Sequence, residues 1–235
     1  FPALYDYKYG SSTIVTNGGV LEQLQSERGN SFDLGFDTYL NNLDLGLSAT
    51  LFKTEQKNPL VSQARTAWVM RNASGINTSE GIELSADWKP VDKKTSLNFN
   101  YTFTDSYDAS TCDPEEKIYV DSECRDIGSK VQSYKVRVPR HAFQSKINYE
   151  INKNFKSSLK TKYVGEARDF GNSNNNWVDI ILDDYFLFDV EASYQYAPGY
   201  KLIFSIVNIL DQEYEQAYQY STMGRDIHFG IKKVF

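Results

Sequence analysis

Apolar and polar residues alternate with a period of two along most of this chain, and that period predicts strands. In 95–105, Leu97, Phe99, Tyr101 and Phe103 fall on one face, and Ser96, Asn98, Asn100, Thr102 and Thr104 fall on the other. In 81–89, Ile82, Leu84, Ala86 and Trp88 oppose Glu83, Ser85, Asp87 and Lys89. In 186–196, Phe186, Phe188, Val190, Ala192, Tyr194 and Tyr196 oppose Asp189, Glu191, Ser193 and Gln195. Similar alternation predicts strands over 31–40, 44–54, 141–151, 155–165 and 225–235. The stretch 200–209 is apolar on both faces, so it predicts a ninth strand without assigning its facing. No stretch carries a helical period or a capping box.

The connections between these strands alternate in length. Asn41-Asn42, 90–94, Asn152-Lys153-Asn154 and Ala197-Pro198-Gly199 are short, whereas 55–79, 106–139, 166–183 and 210–224 are long. Short turns at one end and long loops at the other mark a transmembrane β-barrel of the outer-membrane kind. A two-sheet sandwich would mix its loop lengths, because its links cross between sheets. Strands of about ten residues also suit a tilted crossing of the hydrocarbon. The expected fold is therefore all-β, an antiparallel barrel. Nine strands is odd, and bacterial single-chain barrels are normally even. An unpaired edge is not tolerated in lipid, so further strands upstream are expected. The chain opens Phe1-Pro2-Ala3-Leu4 with neither an initiator Met nor a signal peptide, which reads as a fragment or a processed product.

Composition adjusts this picture in three places. The formal charge of −6 over 235 residues gives no basic face for a nucleic-acid partner. No apolar run reaches the roughly 18 residues of a membrane helix, which leaves barrel strands unaffected. Cys112 and Cys124 lie close together in a polar stretch, and a local disulfide in an oxidising compartment is the preferred reading over a reactive thiol. The surrounding carboxylates of 105–126 fit no EF-hand spacing, so neither a metal nor a cofactor is assigned. The chain has no HExxH, GxSxG or CxxC, and it is read as no enzyme. His141 with Asp184 is a weak catalytic pairing, and His228 is placed in the barrel interior.

The last residue is Phe235, and Lys233, Ile231, Phe229 and Ile227 precede it in steps of two. This terminal aromatic strand resembles the assembly signal of outer-membrane barrels, with Lys233 where an aromatic is usual. Upstream stand Asn208-Ile209-Leu210-Asp211-Gln212-Glu213-Tyr214 and then Tyr220 with Gly224-Arg225. These resemble the final hairpin of TonB-dependent receptors, an "N-L-F-D-K-x-Y" element followed by "Y-x-x-x-G-R". Phe1 to Asp6, Glu27 to Gly35, and Gly81-Ile82-Glu83 are similar to other stretches of that family. The resemblance implies the last nine strands of a 22-stranded barrel over 1–235, with the plug domain and the TonB-contacting segment lying outside it. It implies as partners outer-membrane lipid, TonB through an N-terminal region, the rest of the barrel with its plug, and a large scarce solute.

Pro139-Arg140-His141, Arg168-Asp169 and the Tyr218-to-Arg225 ending are most similar to the cobalamin receptor branch. Ferric-siderophore receptors share much of this, and haem is a further alternative. Stiff aromatics and arginines in the long loops suit a bulky or anionic ligand. The candidate ligand residues are therefore Arg65, Trp68, Arg71, Arg168, Trp177 and Tyr218, although interfacial aromatics of any barrel explain such residues as well. A passive pore, or a soluble β-protein with carbohydrate-binding loops, would share the strand pattern but not the plug.

Overall fold

The computed structural model describes residues 25–63, 69–72, 75–90, 94–108, 125–127, 130–173 and 176–233. Cys112, Cys124, Arg65, Trp68, Phe235 and the Phe1–Asp6 stretch lie outside them. Among the described residues there are fifteen strands and no helix. In chain order they are β1 (Arg28–Leu40), β2 (Leu45–Lys57), β3 (Leu60–Gln63), β4 (Val69–Asn72), β5 (Ile76–Trp88), β6 (Thr95–Asp108), β7 (Arg125–Ile127), β8 (Lys130–Tyr134), β9 (His141–Asn152), β10 (Phe155–Val164), β11 (Ala167–Ser173), β12 (Asn176–Leu182), β13 (Tyr185–Ala197), β14 (Tyr200–Val207) and β15 (Asp226–Lys233).

Nine of these form one meander, β1-β2-β5-β6-β9-β10-β13-β14-β15, each antiparallel to the next. They are the nine strands that the sequence pattern predicts. The other six form hairpins inside three of the long connections: β3–β4, β7–β8 and β11–β12. Too short and irregular to carry a period-two signal, these hairpins are not foreseen from sequence. The strand β8 also extends the wall by pairing with the end of β6, Tyr107 opposite Tyr134.

Register carries one face across the whole sheet. Leu51, Ile82 and Phe103 stand opposite one another in turn, as do Ala49, Leu84, Tyr101, Phe143, Tyr163 and Phe186. The same face continues through Val190, Ile206 and Ile227, and through Ala192, Phe204 and Phe229. It is bare: Phe36 is 67% exposed, Phe229 69% and Ile231 66%. An apolar face this large and uncovered cannot face water in a stable protein. Lipid is the solvent that accounts for it, and in this orientation Phe229 and Ile231 sit where the terminal-strand signal places them.

The register also settles 200–209. Leu202, Phe204 and Ile206 pair into the lipid row, while Ile203 and Ser205 face inward with Ser193 and Glu191. Two aromatic bands border the lipid face, as interfacial girdles do. Near the long-loop end, Phe143 lies 5.4 Å from Tyr163 and 5.2 Å from Phe186, ring to ring. Near the short-turn end stand Tyr149, Tyr194, Tyr196 and Trp88, whose indole N–H donates to the Leu43 carbonyl at 3.0 Å. Lys233 belongs to this second band: its ammonium lies 5.2 Å from the Tyr200 ring centre. That cation–π contact explains how a lysine replaces the usual aromatic there. His141 pairs with Phe103 on the lipid face, and its Nδ1 lies 2.9 Å from the Tyr101 hydroxyl. It belongs to the outer aromatic band and makes no catalytic pair.

The opposite face is polar and lines the interior. It carries Glu83, Asp87, Lys146, Glu150, Lys160, Lys162, Asp189, Glu191 and His228. His228 Nε2 lies 3.0 Å from Asp226. Gly81 is required on this face: a Cβ there would meet the Phe103 carbonyl oxygen at 2.0 Å and the Phe52 ring at 2.7 Å. The Phe52 ring thus lies over the bare backbone of Gly81, filling the space a side chain would occupy.

Candidate functional site

The long connections converge at one end of the wall, and a single carboxylate ties three of them together. Asp169, on β11, is 1% exposed. Its carboxylate accepts the Arg137 Nε–H at 3.0 and 3.1 Å, the Tyr218 backbone N–H at 2.8 Å and the Phe170 backbone N–H at 2.8 Å. Burial alone would raise its pKa. The Arg137 guanidinium and the Tyr218 and Phe170 amides outweigh that and hold the carboxyl below the usual range. Arg137 sits in the left-handed region, φ 59°, and its own N–H donates to the Arg168 carbonyl at 2.7 Å. The segment before β9, the β11–β12 hairpin and the last loop are thereby joined at one point.

Tyr218 contributes packing as well as its amide. A Cβ on Gly171 would meet Ile180 Cδ1 at 2.0 Å and the Tyr218 ring at 2.7 Å, so both side chains rest on the bare β11 backbone. Arg168 is committed inward: its Nη1 donates to the Tyr134 carbonyl at 3.4 Å, and its guanidinium lies 5.2 Å from the Phe170 ring centre. Arg140 pairs with Asp105 at 3.3 Å and lies over the rings of Phe103 and Tyr134. Arg71 stands opposite Val61 on β4, and Trp177 opposite Asn172 on β12. The structure therefore brings Arg168 and Tyr218 together around Asp169, with Arg137 as the partner that sequence reading did not single out. The adjacent Arg168-Asp169 pair was the available signal, but Arg137 is 32 residues away from Asp169.

The terminal motif has a structural job of its own. Asn208 is 2% exposed, with φ 51°. Its N–H donates to Asp189, and its side chain exchanges two hydrogen bonds of 2.9 Å with the Gln212 backbone. Asp211 accepts the Arg225 N–H at 2.7 Å and the Arg225 Nη2–H at 3.2 Å. Gly224 leaves room for that carboxylate, which would lie 2.8 Å from a Cβ. Asn208, Asp211, Gly224 and Arg225 thus clamp the two ends of the last long loop, and the Tyr214 ring packs against Tyr185 in a tilted pair with centroids 4.4 Å apart.

Two clefts flank this knot. One, of about 860 Å³, lies between the end of β12 and the last loop and is lined by Asp183, Asp184, Asp211, Glu213 and Glu215. Asp184 lies near Tyr163 of the lipid row, which puts this acidic cleft toward the outer rim. The other, of about 340 Å³, is lined by Arg137, Lys162, Tyr185 and Gln216 and opens to the interior face. No group of residues suited to a metal ion occurs among the described residues.

A family model described as TonB dependent receptor-like, beta-barrel, matches residues 1–209. The chain belongs to the TonB-dependent receptor family. Its place is the outer membrane, and its strands are part of such a receptor's barrel. No curated protein matches it in sequence. The ferric-catecholate import receptor Fiu from E. coli K12 is similar in structure, with a TM-score of 0.65 and 17% identity. That match covers 93% of this chain and 31% of Fiu. The pyoverdine outer-membrane receptor FpvA from Pseudomonas aeruginosa PAO1 is similar with a TM-score of 0.69 and 14% identity, over 92% of this chain and 31% of that one. The FrpB iron transporter from Neisseria meningitidis gives 0.65 and 16%, over 93% and 32%. At such identities the likeness is one of fold. The chain spans about a third of the length of these receptors.

Proposed function

We propose that this chain is the C-terminal portion of the barrel of an outer-membrane receptor that captures a ferric siderophore outside the cell and imports it. The remaining strands, the plug and the TonB-contacting segment would lie in the rest of the protein. No covalent chemistry is involved: capture by the outer loops is followed by passage driven through TonB. The observation that carries the reading is family membership, joined to structural neighbours that are themselves named as a ferric-catecholate import receptor, a pyoverdine outer-membrane receptor and an iron transporter.

The features that favoured cobalamin give it no support at the level of contacts. Arg140, His141, Arg168, Asp169, Asp211 and Arg225 all have partners within the wall or its loops. Arg65, Trp68, Arg71, Arg168, Trp177 and Tyr218 stay as proposed ligand contacts, and the Cys112–Cys124 bridge as a proposed brace of its loop.

The test is a titration of the full-length receptor in detergent, read by tryptophan fluorescence, with a panel of ferric siderophores and with cyanocobalamin in parallel. Saturable quenching by a ferric siderophore, with none by cyanocobalamin, is the expected result. Tight quenching by cyanocobalamin alone, or by none of the panel, overturns the reading.

A further inference from the structure

Four adjacent strands bring a set of cations together on the interior face. One row across them reads Asn98, Lys146, Lys160, Asp189, and the row above it reads Asn100, Gln144, Lys162, Leu187. Lys146 and Lys160 are directly opposed. Like charges in that position repel, and sheets avoid them. One carboxylate stands in this row: Asp189, opposite Lys160, which also accepts the Asn208 N–H at 2.9 Å as part of the terminal clamp. None of the three lysines makes an ion pair with a described residue, although Lys156 and Glu150, nearer the short turns, pair at 3.0 Å. These groups line a hollow of about 340 Å³. Its three ammonium groups face one carboxylate, in a chain whose overall charge is −6.

We infer that Lys146, Lys160 and Lys162 form an anion-binding station on the interior wall, which takes the negatively charged oxygens of the iron chelate in transit. Lys162 also lines the cleft that contains Arg137, Asp183 and Glu215, so the station reaches from mid-wall to the cleft beside the outer knot. Ammonium groups on flexible stems, flanked by amide donors, suit a moving polyanion better than a fixed bidentate fork would. In a narrow interior of one sign the field is focused and raises the local concentration of the oppositely charged solute. The station stands apart from the loop residues proposed for capture, and the inference rests on the ferric-siderophore reading above.

The experiment replaces all three lysines by glutamine in the full-length receptor, with a triple arginine variant alongside. Cells carrying each form are given radio-iron as a ferric tris-catecholate. Surface binding is measured without energy and import with it. Loss of charge-assisted contacts predicts that the glutamine variant imports about tenfold more slowly, while its surface affinity stays within about twofold and the arginine variant imports like wild type. Thermal unfolding of the purified glutamine variant should match wild type. Import by the glutamine variant at the wild-type rate overturns the station and leaves the receptor reading intact. So does a fall in unfolding temperature with a newly leaky barrel, which would assign the lysines to an acidic segment of the receptor itself. A wild type that neither binds nor imports the chelate overturns both.

Discussion

The wall and the outer knot obey opposite rules. In the wall almost nothing is buried. Phe36, Phe229 and Ile231 stand bare on one face and Lys160 and Glu191 on the other, because lipid and the wet interior take the place of a core. At the outer end the chain reverts to the logic of a soluble protein. Tyr107, Leu182 and Tyr185 are buried, and Asp169 is sealed among donors from three separate connections. The wall is thus specified by which solvent each face meets, the knot by which groups meet each other. A change of charge should matter most where the solvent is lipid, and a change of hydrogen bonding most where water is excluded.

The largest expected effect follows from that difference. Leu84→Arg puts a charge on the lipid face and should cost about 2–4 kcal/mol, while Ser85→Arg, one residue along on the interior face, should cost far less. Equilibrium refolding of the full-length receptor into lipid, followed by urea titration, measures both. Equal costs for the two would mean that the faces are not distinguished by solvent.

A smaller and local effect is expected at the knot. Asp169→Asn removes the charge-assisted contacts to Arg137 and Tyr218 and should weaken the junction by about 1–3 kcal/mol. Amide exchange in 165–184 and 208–225 should then quicken by roughly tenfold to a hundredfold, while β5 and β6 exchange as before. The same junction should respond to acid. Because the folded carboxyl titrates below its ordinary value, its contribution is complete above about pH 4 and is lost as pH falls through the folded value. Spin-label distances between those two loops, followed at descending pH, should lengthen only below that point. Lengthening near neutral pH would mean that Asp169 is not the tie.

The legible part of the fold was the part governed by solvent. Period-two alternation located eight of the nine wall strands and an apolar run the ninth, since each residue there answers to lipid or to the interior independently of its distant neighbours. It was silent on β14, where Ile203 faces inward among polar partners, and only cross-strand register resolved that facing. The hairpins within the loops left no periodic trace. The terminal motif was visible, and its residues hold the last loop closed. The Asp169 knot depends on Arg137, Tyr218 and Asp169 meeting across long sequence separations, which no local pattern reports. Of the proposed ligand residues, Arg168 and Tyr218 are placed in that knot. Arg71 and Trp177 are located by register alone, and Arg65 and Trp68 lie beyond the described residues.

The most direct test of the wall is a nitroxide scan along 201–207 of the full-length receptor in a lipid bilayer, comparing accessibility to oxygen with accessibility to a water-soluble nickel chelate. Labels at 202, 204 and 206 should favour oxygen, and labels at 201, 203 and 205 the nickel chelate, giving a period of two with that phase. Uniform accessibility along the strand, or the opposite phase, would contradict a wall with Phe204 toward lipid and Ser205 toward the interior.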